Sequence, residues 1–412
     1  MTRRVVITGM GVATALGCEV EDVWRALLDG KSGVHLLKAF DTGRHKVKFG
    51  GDIQDFNVEG YVDHKDAKRI DRFSQLAMRS AIDAVKDSGL EFEKEDPYRC
   101  GVIIGSGVGG LTEIETQMHR LIEKGPDKVS PFTIPKLMVN AASGHVSIHY
   151  GLKGVNYAVA TACASATNAM AGAARAIRAD DADVVITGGS EAACTEMAAA
   201  AFANMRALST RNDDPGTASR PFDADRDGFV LSEGAGIVVF EELEHAKARG
   251  AEIYAEVLGF GETGDGGHIT QPNPEGQGAA NAMAAALRHA KLDPDAVDYI
   301  NAHGTSTPLG DKAEITAIKS VFGEHAQKLN VSSTKSHLGH LLGASGGVEL
   351  VFSVLAIRDR VCPPTINHFT KDPDCDLDIT PNQPKERKVD VVMSNSFGFG
   401  GHNASIVAGR YS

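Results

Sequence analysis

The sequence predicts an α/β protein built from two similar halves, in which strands alternate with helices. The apolar segment Val5-Val6-Ile7-Thr8-Gly9-Met10-Gly11 is echoed by Ala255-Glu256-Val257-Leu258-Gly259-Phe260-Gly261. An alanine-rich helical segment follows each copy, at 76–88 and at 278–290. Because insertions of different length separate the matched elements, the pattern indicates a duplicated α/β unit rather than a short-period solenoid.

The remaining elements follow in the same order in both halves. The first half continues with strands at 101–105 and 155–161, a helix at 165–179 and a strand at 183–188. The second half answers with strands at 297–301 and 329–333, a helix at 343–357 and a strand at 390–394. Small alanine side chains along 165–179 suit a central, closely packed helix. We place the boundary near Gly250, after a charged helix at 241–249, which gives domains of 1–250 and 251–412.

Composition excludes several classes of protein. The chain has 412 residues and a net charge of −12, which disfavours a nucleic-acid or anionic-membrane binder while leaving room for a local basic patch. We expect no secretory signal, and no apolar run is long enough to span a bilayer. The six cysteines are scattered without a C-x-x-C pair, so we expect a reduced, cytoplasmic protein without a zinc site.

Two motifs invite other interpretations. The stretch Gly105-Ser106-Gly107-Val108-Gly109-Gly110 matches the dinucleotide-binding pattern, but no acidic residue closes a second strand about 20 residues on, as ribose recognition requires. The stretch Asp223-Ala224-Asp225-Arg226-Asp227-Gly228 begins like a calcium loop, yet Arg226 interrupts it and its acidic end, Glu233, comes one position early. We interpret both as structural turns.

The first candidate for a catalytic residue is Cys163, which lies between a predicted apolar strand and the start of a predicted helix. Amides and the positive dipole end at that position favour thiolate over thiol. Two histidines sit at strand ends in the other half, His303 in Asn301-Ala302-His303-Gly304-Thr305 and His340 in Leu338-Gly339-His340. A cysteine with two such partners predicts nucleophilic catalysis.

These motifs resemble one family from end to end, the elongating β-ketoacyl-acyl-carrier-protein synthases of the thiolase superfamily. The resemblance rests on Thr161-Ala162-Cys163, on residues 301–307, on Ser333-Thr334-Lys335 with Gly339-His340, and on Asn395-Ser396-Phe397-Gly398-Phe399-Gly400-Gly401. It implies a five-layer αβαβα thiolase-like fold, with two mixed sheets around central helices.

Related families differ at the same residues. Chain-initiating synthases pair cysteine with one histidine and an asparagine, whereas this chain has both His303 and His340. Biosynthetic thiolases use a second cysteine near the C-terminus, and residues 394–401 contain none. Silent chain-length subunits lack the nucleophile, which Cys163 supplies here.

The resemblance implies a decarboxylating condensation in fatty-acid elongation. Cys163 would carry the acyl chain, His303 and His340 would bind the enolate oxygen of malonyl-carrier protein, and the amides of Cys163 and Phe399 would form an oxyanion hole. Lys335 would tune the electrostatics around His340 together with Glu349. No cofactor is required, since both substrates are carried on the 4′-phosphopantetheine of acyl carrier protein.

The resemblance also implies roles for residues at positions that match the family. Thr305, Thr307 and Thr270 would contact the phosphopantetheine. Val108, Leu111 and Phe202 are implied acyl-pocket residues, with Phe399 as a gate. The carrier protein would dock on Lys65, Lys68, Arg69, Arg72, Lys128 and Arg206. A structural cation is implied at Asn301, Glu314, Glu349 and Asn395, with no catalytic metal.

Several points stay open at the level of sequence. Thr133 departs from the aromatic residue common there in the type II enzymes, so the acyl chain length is not determined. A ketosynthase of a polyketide or other specialised pathway would share every catalytic residue. A silent binding subunit and an NAD-dependent dehydrogenase are weaker alternatives. The family implies a homodimer, with no nucleic-acid or membrane partner.

Overall fold

The computed structural model describes residues 3–411, and its core is one hydrogen-bonded sheet of ten strands. Two short two-stranded ribbons lie beside it. The strands are β1 (Val5–Ala13), β2 (His35–Leu36), β3 (Phe49–Gly50), β4 (Cys100–Gly105), β5 (Asn156–Val159), β6 (Val184–Glu191), β7 (Gly234–Glu242), β8 (Ala255–Gly264), β9 (Tyr299–Asn301), β10 (Asn330–Ser332), β11 (Val361–Cys362), β12 (Lys385–Glu386), β13 (Val391–Gly398) and β14 (His402–Gly409).

The strand order confirms the duplication. One unit reads β5-β4-β6-β7-β1 and the other reads β10-β9-β13-β14-β8, and the parallel and antiparallel pairings correspond strand by strand. The units join where β1 pairs with β8, at Val6↔Glu256 and Ile7↔Ala255. The two mixed sheets expected from the sequence are therefore present as two five-stranded units of one continuous ladder.

Helices complete the layers. They are α1 (Val20–Leu28), α2 (His64–Ala67), α3 (Arg72–Ser88), α4 (Leu111–Lys124), α5 (Thr133–Leu137), α6 (Ala141–Tyr150), α7 (Ser165–Arg178), α8 (Glu196–Asn204), α9 (Leu243–Ala248), α10 (Gln277–Ala290), α11 (Pro308–Phe322), α12 (Lys335–Leu338) and α13 (Ser345–Asp359). Helices α3 and α6 cover one unit, and α10 and α11 cover the other.

The central layer is formed by α7 and α13. Helix α13 contacts strands of both units, and every residue from Ser345 to Ile357 is buried. A helix that is apolar all round belongs in a core, and both central helices contribute to the largest hydrophobic cluster. The predicted five-layer α/β arrangement is confirmed.

The structure adds elements that the sequence pattern did not reveal. The antiparallel strand β7 lies between β6 and β1, and its counterpart β14 lies between β13 and β8. Strand β7 runs into the region expected to be helical, so that α9 begins only at Leu243. Gly250, our boundary, lies in the turn between α9 and β8. All six cysteines are free thiols. Within residues 3–411, no helix combines the length and the apolar character needed to cross a membrane.

Candidate active site

A cleft of about 600 Å³ opens where the two halves meet, and the predicted nucleophile and both histidines line it. The Sγ of Cys163 and the nearest ring nitrogens of His303 and His340 lie within 4.8 Å of one another. The three side chains come from loops that are far apart in sequence. The predicted catalytic set is thus assembled in one place.

Cys163 lies just before α7, in a tight turn after β5. Ala162 adopts φ +50°, a left-handed conformation that is uncommon outside glycine and that often marks a functional turn. The thiol is buried, and its Sγ is 3.0 Å from Nε2 of His340. The amide of Phe399 donates a hydrogen bond to the Cys163 sulfur.

The protonation of Cys163 differs from the sequence-based expectation of a stabilised thiolate. Burial raises the pKa of the Cys163 thiol to about 11, although the charge of Lys335 and the Phe399 amide act in the opposite direction. Desolvation of the charged form outweighs these two favourable contacts. Cys163 is therefore a neutral thiol near pH 7.

His340 is held in one tautomer. Its Nδ1 lies 3.3 Å from the amide of Leu342 and 3.0 Å from Oγ of Ser345. Because a backbone amide only donates, Nδ1 accepts and the ring proton sits on Nε2. That proton points to Cys163, and the ring of Phe229 packs edge-on against the imidazole.

His303 follows β9 and lies edge-on to His340, with ring centroids 5.3 Å apart. Buried Glu314 fixes its backbone, accepting from the amides of His303 at 2.9 Å and Gly304 at 2.8 Å. Burial, followed by the charge of Lys335, lowers the pKa of both histidines well below the ordinary value. Both rings are neutral near pH 7, each carrying one N–H.

Lys335 forms a buried ion pair with Glu349. Their side chains are 2% and 1% exposed, and Lys335 Nζ donates to Glu349 Oε1. Asn301 Oδ1 and Glu349 Oε2 are buried without a hydrogen-bond partner among the described residues. Asn395 Nδ2 donates to Glu314 Oε1 at 3.3 Å. This oxygen-rich set has the ligand chemistry of a hard cation.

Most predicted substrate contacts line the same cleft. Thr305, Thr307 and Thr270 are on its wall, with the hydroxyls of Thr305 and Thr307 3.0 Å apart. Val108, Phe202 and Phe399 also line it. Leu111 does not line the cleft itself, because its side chain is buried in the apolar cluster that contains the lining residues Phe229 and Leu342.

The basic residues divide into two groups. Lys65, Lys68, Arg69, Lys128 and Arg206 are exposed, and Arg206 stands at the cleft rim. Arg72 is different, since its guanidinium donates to both carboxylate oxygens of Glu233, at 2.6 and 2.8 Å, and to the carbonyl of Ile53. Its prediction as a docking residue is not supported, because an internal ion pair occupies it.

The glycine-rich stretch 105–110 and the acidic stretch 223–228, which resemble nucleotide-binding and calcium-binding motifs, are both structural turns. In the glycine loop, the amides of Gly107 and Val108 donate to the buried carboxylate of Glu191, so they are not free to cradle a phosphate. In the acidic loop, Asp223 accepts from backbone amides, and Arg226 pairs with Asp311 and Asp372.

Sequence reasoning missed Glu191, Ser345 and Leu342. Glu191 closes the apolar strand β6, and an acidic residue in that position is a signal that could have drawn attention. The roles of Ser345 and of the Leu342 amide depend on a loop conformation that leaves no trace in sequence.

Comparison with known proteins is consistent with this geometry. The family model "Beta-ketoacyl synthase, N-terminal domain" matches residues 2–246, and "Beta-ketoacyl synthase, C-terminal domain" matches residues 254–369. A 3-oxoacyl-(acyl-carrier-protein) synthase 2 of Coxiella burnetii is 53% identical over 99% of both chains. One of Staphylococcus aureus (strain COL) is 51% identical over 99% of both chains. A type II polyketide ketosynthase solved with its acyl-carrier protein has a TM-score of 0.92 at 34% identity, covering 100% of both chains.

Proposed function

This chain belongs to the β-ketoacyl synthase family, and we propose that it joins malonyl-acyl-carrier protein to a Cys163-bound acyl chain, giving β-ketoacyl-acyl-carrier protein and CO₂ in fatty-acid elongation. The observation that carries the proposal is the contact of Cys163 Sγ with His340 Nε2 at 3.0 Å, with His303 beside them in one cleft. The relatives that share half of its residues bear the name of the same reaction.

In the first step, the Cys163 sulfur attacks the thioester carbonyl of the acyl-carrier protein. A new thioester forms, the pantetheine thiolate leaves, and the proton of the Cys163 thiol passes to it. The amides of Cys163 and Phe399 face the sulfur and stabilise the transient oxyanion. Thiol ionisation is then coupled to attack, as the high resting pKa of Cys163 requires.

In the second step, malonyl-carrier protein enters and loses CO₂. The electron pair of the broken C–C bond becomes an enolate, whose oxygen accepts from the Nε2–H groups of His303 and His340. Neutral imidazoles suit this task, because each keeps its N–H throughout and stabilises charge that exists only after CO₂ departs. The enolate carbon then attacks the acyl thioester, and the Cys163 thiolate leaves.

Binding of carrier protein follows from the surface around the cleft. Thr305, Thr307 and Thr270 offer hydroxyls to a phosphopantetheine arm, and no other cofactor is needed for these steps. The patch Lys65, Lys68, Arg69, Lys128 and Arg206 offers positive charge to an acidic carrier on a protein of net charge −12. The structural neighbour solved with its carrier protein supports such a partner.

We also infer that the active form is a homodimer. Strand β5 ends the ladder with an open edge, and Tyr157 on it is 44% exposed. A second copy pairing on β5 would remove the open edge and cover Tyr157. Exposed apolar side chains on α4, α5 and the turns around them offer such a partner further apolar surface: Met118, Ile122, Phe132, Ile134 and Met138. Tyr157→Glu should give monomers by sedimentation velocity, whereas Phe369→Glu, at another exposed aromatic, should not.

Two smaller proposals complete the assignment. Oxygens of Asn301, Glu314, Glu349 and Asn395 would hold a structural cation, for which the two unpartnered oxygens in the described region are the support. Six free thiols support a cytoplasmic location. A specialised polyketide pathway remains the second candidate, because its ketosynthases share the fold.

The decisive experiment separates the two half-reactions. Cys163→Gln should abolish condensation yet keep decarboxylation of malonyl-carrier protein, since the glutamine carbonyl imitates the acyl thioester. His303→Ala or His340→Ala should lose about 3 kcal/mol or more of transition-state stabilisation for decarboxylation, while acyl loading on Cys163 survives. Release of CO₂ and the mass of the acyl-enzyme are measured for each variant. Decarboxylation at the wild-type rate in both histidine variants would refute this division.

A further inference from the structure

A buried carboxylate outside the Cys/His/His set connects the two halves of the cleft wall. Glu191 is fully buried at the end of β6. Its Oε1 accepts from Ser106 Oγ at 2.9 Å and from the Val108 amide at 3.2 Å. Its Oε2 accepts from the amides of Gly107 at 2.7 Å and Gly343 at 3.1 Å. Each oxygen therefore serves two donors.

The groups held by Glu191 adjoin functional parts of the cleft. Val108 lines it, and Gly343 directly follows Leu342, whose amide fixes the tautomer of His340. The two turns are closely packed, because a Cβ on Gly343 would lie 2.3 Å from the Gly107 nitrogen and 2.6 Å from Glu191 Oε2. The carboxylate thus fixes the spacing of the two turns.

The second half contains a counterpart. Glu314 is also buried and accepts from two consecutive amides, those of His303 and Gly304, just after β9. Strand β9 occupies the place in its unit that β4 occupies in the first, and Gly107 and Val108 come just after β4. One carboxylate supports the histidine loop, and its counterpart supports the opposite wall.

We propose that Glu191 is a positioning residue, whose carboxylate joins the Ser106–Val108 turn to the Gly343 turn and so holds His340 and the Val108 wall in register with Cys163. Its catalytic consequence rests on the proposed function. Its charge also acts on the nucleophile, since Glu191 contributes to raising the pKa of the Cys163 thiol.

Glu191→Gln tests this role with little change in shape. In either orientation the new NH₂ group faces at least one backbone N–H, so one connection is lost and replaced by repulsion. The kcat for malonyl-carrier-protein decarboxylation should fall about tenfold with KM nearly unchanged. Loss of the negative charge should shift the pH profile of Cys163 alkylation by iodoacetamide to lower pH, which a merely structural role would not do.

The matched control is Glu242→Gln. Glu242 is a buried carboxylate on β7, and Glu191 pairs with Gly234 on the same strand. Eight residues of strand separate Gly234 from Glu242, which places Glu242 roughly 26 Å from the Glu191 pairing. Glu242→Gln should leave the decarboxylation kcat and the alkylation profile at wild-type values. Thermal unfolding of each variant reports folding. Should Glu191→Gln not fold, Ser106→Ala removes one donor without changing charge and should lower the decarboxylation kcat about threefold.

An unchanged alkylation profile or an unchanged decarboxylation rate in folded Glu191→Gln would overturn the proposal, as would an unchanged rate in Ser106→Ala. Failure of the proposed function itself looks different. In that case wild-type protein releases no CO₂ from malonyl-carrier protein, while the alkylation profiles of wild type and Glu191→Gln still differ.

Discussion

Replacing Lys335 by methionine should damage both stability and the nucleophile, for separable reasons. Lys335 and Glu349 are almost completely buried and paired. Removing one member of such a pair leaves an uncompensated buried charge, which costs about 3 to 5 kcal/mol of unfolding free energy. Lys335→Met/Glu349→Leu removes both charges and should recover most of that loss.

The thiol should not recover with stability. With a pKa of about 11 for Cys163, about one thiol in a thousand is ionised near pH 8, and each further unit of pKa lowers that fraction about tenfold. Lys335 acts to lower this pKa, whereas Glu349 is not among its principal determinants. Both the single and the double variant should therefore alkylate more slowly than wild type.

The assay pairs urea unfolding with alkylation of Cys163 by iodoacetamide across pH, followed by peptide mass. Lys136→Met is the control, because Lys136 pairs with buried Glu113 away from the cleft. It should lose stability while leaving the alkylation profile unchanged. If the double variant regains wild-type thiol reactivity together with its stability, the electrostatic role of Lys335 is wrong.

Three further predictions follow from the surface, the gate and the pH dependence. Lys65→Glu/Arg69→Glu should raise the KM for carrier protein on the order of tenfold at low salt and weaken the salt dependence of that KM. The control Lys94→Glu should do neither. The same salt dependence in the double variant and the wild type would contradict the docking surface. Phe399, beside Gly400 at φ +84°, should change rotamer between crystals of free and acylated enzyme, and one fixed position would remove the gate. Hydrogen bonds to Glu241 and Glu95 raise the pKa of His245 to about 9 from its ordinary 6.5. The protonated imidazole therefore stabilises the fold fully below about pH 6.5, and this contribution is lost as pH rises through about 9. His245→Gln should thus cost about 2 kcal/mol at pH 6 and little at pH 10, and a pH-independent loss would refute the assignment.

The sequence predicted what short segments encode. Strands such as β1, β4 and β6 are completely buried and rich in valine and isoleucine, and the helices around 165–179 and 278–290 are rich in alanine, which favours helix. The catalytic candidates could also be found from the sequence, because Cys163 and His303 follow apolar strands and His340 comes shortly before a helix. Repetition of the same order in both halves then predicted a duplicated α/β unit, and the resemblance to the family implied its five layers.

Contacts between segments that are far apart in the chain could not be predicted from the sequence. Arg72 reads as a surface cation in a basic stretch, and only its approach to Glu233, 161 residues away, reveals the internal ion pair. The position of Leu111 was hidden in the same way, since only the fold shows that α4 buries it in the cluster shared with the cleft residues Phe229 and Leu342. The thiol pKa of Cys163 depends on how much solvent the surrounding chain excludes, a property of the assembled fold.

The duplicated architecture explains why the site forms between the halves. Cys163 lies between β5 and α7, and His340 lies between β10 and α13, after the short helix α12. The nucleophile and the enolate-binding group therefore both lie just before a central helix of their own half. The first turns of α7 and α13 touch, since a Cβ on Gly346 would lie 2.2 Å from Thr167 Oγ1. Two helix amino ends, each carrying partial positive charge, therefore converge on one point. Every intermediate of the proposed reaction, the thiolate, the tetrahedral oxyanion and the enolate, is an anion formed at that point. A buried site that disfavours a resting thiolate can therefore still stabilise the anions formed during the reaction, because the dipoles are already oriented when the charge appears.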